Sequence, residues 1–386
     1  VNYVSNIFNI KEVLNNPHFQ NFANYSLFQL EDRHYGVIFE FPAALMELFF
    51  SENDDSGIYF ARHLLTYIYF IVGLIAVYKI SRIRYKNWMA GLLTCGMLLL
   101  SPRIFADAFY NSKDIVFLSI YAVTALTLIL FLRKPTWKYG ILFGILSGLA
   151  IDTRLIAVVF PFLTAPLLLI KWKKLVGNKK VGLLLLVYVS TCLVTMVIFW
   201  PYLWSSPLGH FLEAFKFISL HPHSSAIPFT GKMFPTAELP WYYIAIWIGI
   251  STPVLYLALF VIGCISNLHR FISSKHGLFT DDDLLMDLVF NILFFTPIIA
   301  VAITHTPLYN GWRHLYFTYP FLLLIATGGL TQLTHFFHHK RSLLVIFVSI
   351  FAINSAWVGG WMIQNHPLQN LYFNFLAGKN WSKSFE

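Results

Sequence analysis

About ten apolar runs, each near the roughly 20 residues a helix needs to cross some 30 Å of hydrocarbon, alternate along this chain with two kinds of loop. One kind is rich in Lys and Arg; the other carries Asp, Arg, His, Pro and aromatics. The runs fall at about 61–80, 88–100, 115–132, 139–151, 155–170, 181–199, 241–265, 286–303, 315–332 and 343–362. They are continuous apolar stretches rather than two-residue alternations, which predicts helices and excludes a barrel. A chain that is 57% hydrophobic and 12% charged, with a mean hydropathy of +0.64, cannot cover itself with a water-soluble surface. The expected fold class is an all-α polytopic membrane protein.

The loop charges orient the bundle. Lys79, Arg82, Arg84 and Lys86 form one basic cluster, followed by Arg133, Lys134 and Lys138, then by Lys171, Lys173, Lys174, Lys179 and Lys180. Arg270 with Lys275 and Lys340 with Arg341 complete the set. Sixteen of the 27 basic residues thus fall in every second loop, the side the positive-inside rule gives to the cytoplasm. The net charge of +9 is therefore read as a topology signal, and no nucleic-acid partner is expected. The segments 1–60, 101–114, 152–154, 200–240, 304–314 and 363–386 face outward. Ten crossings that begin outside also end outside. Because the chain opens on Val1 at the outer side, one further N-terminal helix is expected to precede it.

No soluble domain can be cut out, so 1–386 reads as a single transmembrane domain. Its first outer loop is 1–60, its large outer loop 200–240 and its outer tail 363–386. Phe41–Phe50 and Phe211–Leu220 are apolar but too short to cross; both are expected to lie as helices in the interface on the outer face. Cys95, Cys192 and Cys264 sit in apolar runs and read as small core residues.

The chemistry is concentrated in the outer segments. In Ser101–Asp114 (SPRIFADAFYNSKD), Arg103, Asp107, Asn111 and Asp114 recur at spacings that would place them on one face of a continuous helix, with Arg103 and Asp107 close enough to pair. Lys113 lies beside this stripe. Asp152-Thr153-Arg154 repeats the combination of acid and arginine in a short outer turn. In Tyr309–Tyr319 (YNGWRHLYFTY), Arg313 and His314 stand at the mouth of a span, while Trp312, Tyr316 and Tyr319 read as an interfacial aromatic belt. Arg103, Lys113, Arg154 and Arg313 are cations near membrane depth, and guanidinium forks onto phosphate bidentately. Such a set suits an anionic head group attached to a lipid tail. His221 and His223 lack partners at ligand spacing, and His335, His338 and His339 fall on the cytoplasmic side. No metal site and no cofactor are expected.

At these residues the chain resembles the GT-C superfamily of membrane glycosyltransferases, in the branch of the protein O-mannosyltransferases and bacterial aminoarabinose transferases. The resemblance is carried by His34-Tyr35-Gly36 with Phe41-Pro42-Ala43-Ala44, by Ser101-Pro102-Arg103 through Asp107, and by Asn111-Ser112-Lys113-Asp114. Asp152-Thr153-Arg154, Trp200-Pro201-Tyr202 and Gly311-Trp312-Arg313-His314 continue it. It implies a GT-C-like bundle that moves a sugar from a polyprenyl-phosphate donor to a lipid, glycan or protein acceptor at the outer face, with inversion and without a metal. The setting it implies is a bacterial cytoplasmic membrane with a periplasmic active site. The general base would be Asp32 or Glu31, or an acid upstream of Val1; the second acid would be Asp107. Arg103, Lys113, Arg154 and Arg313 would hold the donor phosphate, and Tyr35, Asp114, Asp152 and His314 would line the substrate. Two other readings stay open: a transporter or flippase of lipid-linked sugars, and a catalytically inactive subunit that kept the fold. Charges clustered at span ends rather than at mid-span favour the enzyme.

Overall fold

The computed structural model describes residues 31–50, 55–176, 178–219, 226–274 and 281–385. In chain order the helices are α1 (Glu40–Phe50), α2 (Asp55–Tyr85), α3 (Trp88–Leu99), α4 (Pro102–Tyr110), α5 (Asp114–Arg133), α6 (Trp137–Thr153), α7 (Val159–Val176), α8 (Asn178–Phe199) and α9 (Pro207–Ser219). A hairpin of β1 (Ala226–Phe229) and β2 (Lys232–Pro235) follows. Then come α10 (Tyr243–Ser251), α11 (Val254–Ser273), α12 (Asp282–Thr304), α13 (Tyr319–Phe337), α14 (Arg341–Gln364) and α15 (Trp381–Phe385). The chain is an integral, multi-pass membrane protein. Among the described residues seven helices are long and apolar enough to span, or eight if α3 and α4, bent by 75°, count as one.

That number is lower than the ten apolar runs for local reasons. The run at 139–151 becomes α6, only 17 residues long, and the next is apolar only over Leu155–Leu169. Proline supplies the breaks elsewhere, because it lacks an amide hydrogen and opens a helix more readily than it continues one. Pro102 starts α4 after the bend, and Pro253 separates α10 from α11.

Two compact units are distinguishable: Val1–Phe70 with Tyr110–His221, and Ile71–Phe109 with Pro222–Glu386. In the first, Arg62 on α2 holds α1 by donating to Glu47 at 2.8 Å and to Glu40 at 2.6 Å. Helix α6 runs against α8 through glycines one turn apart. A Cβ on Gly144 would come within 2.7 Å of the Tyr188 carbonyl, and one on Gly148 within 2.7 Å of the Cys192 carbonyl. Small residues at this spacing let two backbones approach where no hydrophobic effect drives helices together. Aromatic packing closes the contact, with Phe143 stacked on Tyr188 at 4.5 Å.

In the second unit α11 and α13 use the same device. Gly263 faces the Ile325 carbonyl, Gly329 faces the Leu259 carbonyl, and Leu259, Ala326 and Leu330 fill the seam. Ser81, Thr94 and Thr327 hydroxyls link α2, α3 and α13 at 2.8 Å each. Arg84 forks onto Asp287 at 2.6 and 2.7 Å, and Arg270 reaches the same carboxylate. Arg84 and Arg270 come from two of the basic clusters read in the sequence, and Asp287 joins them. The β1–β2 hairpin turns at Thr230-Gly231, both with positive φ, the geometry that fits the twist of a two-residue hairpin loop.

Candidate functional site

Within the first unit, the ends of α6 and α8 grip one loop. Gly36 N–H donates to the Asp152 carbonyl at 2.7 Å, and Val37 N–H donates to the Phe199 carbonyl at 2.9 Å. Trp200 Nε1 donates to the Arg33 carbonyl at 3.0 Å. His34-Tyr35-Gly36 is thereby hung between the last turn of α6 and the Trp200-Pro201-Tyr202 turn. Glycine is required by space: a Cβ at Gly36 would lie 2.5 Å from Asp152 Cβ and 3.0 Å from both Asp152 Cγ and the Phe199 carbonyl oxygen.

The Asn111–Asp114 turn joins this group. Asn111 Oδ1 accepts the Asp114 amide and Asn111 Nδ2 donates to the Asp114 carboxylate, both at 2.9 Å. Asparagine does this because its short side chain competes for backbone amides at helix starts. The helical stripe expected over Arg103–Asp114 is therefore not continuous: α4 ends at Tyr110, and Asn111 opens the first turn of α5 instead. Asp114 is ion-paired with Arg154 at the end of α6. The Lys113 ammonium lies 5.4 Å from the Tyr35 ring centroid. Five residues named from the sequence, Tyr35, Lys113, Asp114, Asp152 and Arg154, thus cluster on three linked turns.

Two acid–base groups here are buried without a hydrogen-bond partner among the described residues. Both carboxylate oxygens of Asp152 are one pair; both ring nitrogens of His34 are the other. The His34 imidazole, 1% exposed, stacks on Phe217 of α9 at 4.1 Å and meets the edge of Tyr202 at 5.5 Å. Burial and the positive charge of Arg33 push its pKa below the ordinary imidazole value, against a smaller opposing pull from Glu213. His34 is accordingly neutral at physiological pH, with one donor and one acceptor nitrogen. Glu31 and Asp32 open the turn that leads into His34, and their side chains lie outside the described residues.

The remaining named residues belong to the second unit. Arg103 Nε donates to the Tyr372 carbonyl at 3.0 Å, and its guanidinium sits 4.4 Å from the Phe373 centroid and 5.2 Å from that of Trp247. Asp107 is buried on α4. Arg313 is exposed, 5.2 Å over Tyr309, whose ring also meets His314 at 4.8 Å. Trp312, Tyr316 and Tyr319 are buried, which corrects their reading as an interfacial belt. Trp312 Nε1 donates to the Ser251 hydroxyl at 2.8 Å and the Tyr319 and Ser101 hydroxyls pair at 2.8 Å, so these two rings have internal polar partners and need no headgroup water. Among the described residues no three His, Cys, Asp or Glu side chains gather as a metal site, and His221 and His223 lie outside those residues.

Two solved structures share this arrangement of helices over most of the chain. ArnT from Cupriavidus metallidurans bound to undecaprenyl phosphate superposes with a TM-score of 0.55 at 14% identity, over 83% of this chain and 54% of that one. ArnT from the same organism in the apo state gives 0.55 at 15% identity, over 83% and 53%. The chain has the GT-C fold. It spans about half the length of the ArnT chains it matches. Residues 38–203 match the dolichyl-phosphate-mannose-protein mannosyltransferase family. That stretch of the GT-C fold contains Lys113, Asp114, Asp152, Arg154 and the Trp200-Pro201-Tyr202 turn. No curated protein matches the sequence.

His34 as a buried, unpaired group, with Phe217 as its cover, is what the sequence reading missed as chemistry. The His34-Tyr35-Gly36 motif was visible; the stacking partner, 183 positions away, left no local signal.

Proposed function

We propose that this GT-C protein is an inverting glycosyltransferase that moves a sugar from a polyprenyl-phosphate donor to a lipid, glycan or protein acceptor at the outer face of a membrane. A periplasmic site on a bacterial cytoplasmic membrane is part of the proposal. The observation that carries it is the cluster on three linked turns: Lys113 and Arg154 are presented at helix ends beside the loop of Tyr35. The undecaprenyl phosphate named for one ArnT structure supports a donor of this class.

In the proposed reaction the acceptor oxygen bonds to the anomeric carbon as the carbon–oxygen bond to phosphate breaks. The acceptor proton passes to a carboxylate and the phosphate departs with the bonding pair. Phosphate is a good leaving group, so one base and several fixed cations suffice. We assign the base to Asp32, with Glu31 beside it as the alternative, and assign Asp107 as a second acid. Lys113 and Arg154 are assigned to the phosphate, and Arg103 and Arg313 carry the same assignment individually. Asp114, through its bond to Arg154, fixes that guanidinium. Tyr35, Asp152 and His314 are assigned to substrate contacts, and the chain is taken to act as one transmembrane domain.

Incubating the purified protein with radiolabelled polyprenyl-phosphate sugars and following release of polyprenyl phosphate tests the reading. Transfer is expected, and Lys113→Ala is expected to lower it by at least about tenfold, the worth of one charge-assisted contact, without lowering the melting temperature, because Lys113 is exposed. Equal turnover by both proteins removes Lys113 from the phosphate site; absence of turnover with every donor removes the enzyme reading.

A further inference from the structure

His34 lies near the cluster, and the proposed reaction leaves its chemistry unused. Its two nitrogens are buried and unpartnered among the described residues, held edge-on to Tyr202 and flat against Phe217. Buried polar atoms are nearly always hydrogen-bonded, so a buried imidazole with both nitrogens unpartnered among the described residues points to a ligand group that completes the pairing. Asp152 repeats the signature. Its carboxylate is buried with neither oxygen paired, while its main-chain carbonyl holds Gly36, two residues from His34.

The kind of ligand follows from what a neutral imidazole offers. One nitrogen donates and the other accepts. A phosphate oxygen has lone pairs only and can answer the donor but not the acceptor. A hydroxyl answers either. The Asp152 carboxyl, buried with neither oxygen paired among the described residues, keeps an oxygen that accepts from a hydroxyl. Hydroxyl groups on adjacent carbons match this set. The neighbouring residues say where such a group would come from: Tyr35, next in the chain, carries Lys113 over its ring, and a sugar esterified to a phosphate held by Lys113 lies one bond away from that phosphate.

One face of the imidazole lies under an outward-facing ring. Phe217, 37% exposed, covers the imidazole from α9. That helix also presents Leu208, Leu212 and Phe215 outward, spaced four and three residues apart on one exposed apolar face. The cover over His34 is thus carried by a short amphipathic helix whose free face suits the membrane interface, the phase from which a lipid-linked donor arrives.

We propose that His34 is a sugar-recognition residue, hydrogen-bonding hydroxyls of a neutral hexose on the lipid-linked donor, with Asp152 accepting from the same sugar. The proposal rests on the polyprenyl-phosphate reading above.

The test compares three lipids that differ only in the sugar they carry, one of them carrying none. Undecaprenyl phosphate, undecaprenyl-phosphate mannose and undecaprenyl-phosphate glucose are each titrated into the detergent-purified full chain, and affinity is read from the rise in melting temperature. The wild type should bind at least one sugar-bearing lipid about tenfold or more tighter than bare undecaprenyl phosphate, the scale of one or two buried hydrogen bonds. His34→Phe keeps a flat ring against Phe217 but removes both nitrogens; His34→Leu is a second apolar variant should the first not fold. In either, the preference for the sugar-bearing lipid should collapse towards one while bare undecaprenyl phosphate still binds, and the unliganded protein should melt no lower than the wild type. His34→Gln, which keeps a donor and an acceptor, should restore part of the preference. A preference that survives removal of both nitrogens, or a wild type that does not distinguish the three lipids, overturns the proposal while leaving the phosphate site standing. Failure of the wild type to bind bare undecaprenyl phosphate overturns the donor reading itself, and this proposal with it.

Discussion

Replacing Gly36 with alanine adds one methyl group at the point where the His34-Tyr35-Gly36 loop meets α6 and α8. The new Cβ would sit 2.5 Å from Asp152 Cβ and 3.0 Å from the Phe199 carbonyl oxygen, against 3.4–4 Å for ordinary contact. Neither obstacle is the free end of a flexible side chain. Relief requires the loop to withdraw by about 1 Å, which carries the Gly36 and Val37 amides from 2.7 and 2.9 Å beyond hydrogen-bonding range of their carbonyls. Overpacking of this kind costs about 1–3 kcal/mol, and two weakened hydrogen bonds add about 0.5–1.5 kcal/mol each. The expected loss is thus on the order of 2–6 kcal/mol, read as a lower melting temperature in detergent. Donor turnover should fall on the order of 100-fold, the penalty for displacing substrate-positioning groups by 1 Å. Gly182→Ala is the control. It lies in α8 with nothing within 4 Å of the added atom, and alanine there should stabilise by roughly 0.5–1 kcal/mol through helix propensity. A Gly36→Ala protein that melts and turns over like the wild type would refute the packing argument.

Arg154→Ala removes the guanidinium from a carboxylate, Asp114, that is 5% exposed, and should cost roughly 3 kcal/mol as an uncompensated buried charge. Adding Asp114→Asn should recover most of that stability in a thermal melt but not the lost donor turnover; recovery of both would make the pair purely structural. In the second unit, Arg84→Leu leaves Asp287 held by Arg270 alone among the described residues and should cost about 1–3 kcal/mol, whereas Arg84→Leu with Asp287→Leu should return to within about 1 kcal/mol of the wild type. Equal melting temperatures for the single and double variants would show that the carboxylate is not desolvated as its 1% exposure implies.

How far the fold was legible follows from which signals are local. Apolar length and alternating loop charge located the long spans, because both are set within some 20 residues by the thickness of the bilayer. The same signals marked α6 and α7 as spans, and there the helices are 17 and 18 residues long, at the lower end of the length a crossing needs. Continuity was misjudged at Asn111: helical spacing grouped Arg103, Asp107, Asn111 and Asp114, but the asparagine side chain captures the Asp114 amide and ends the stripe. Lys113, Arg154 and Asp152 were legible as a group because each sits at a span end expected on the same side. That Arg154 pairs with Asp114 was not, since 40 residues separate them. Trp312 looked interfacial because its composition suits a belt; only the Ser251 hydroxyl, 61 positions away, reveals that it is inside.

The glycine ladder of α6 and α8 has a consequence at the far end of those helices. The Asp152 and Phe199 carbonyls that suspend the His34 loop are the terminal acceptors of two rods clamped backbone to backbone at Gly144 and Gly148. Their separation is therefore inherited from the clamp and is insensitive to the lipid-facing side chains, which can drift freely in sequence. Inserting a single residue between Gly148 and Asp152 would swing that carbonyl by about 100° around the rod and advance it by about 1.5 Å, so the gauge that sets the loop tolerates substitution far better than any change of length.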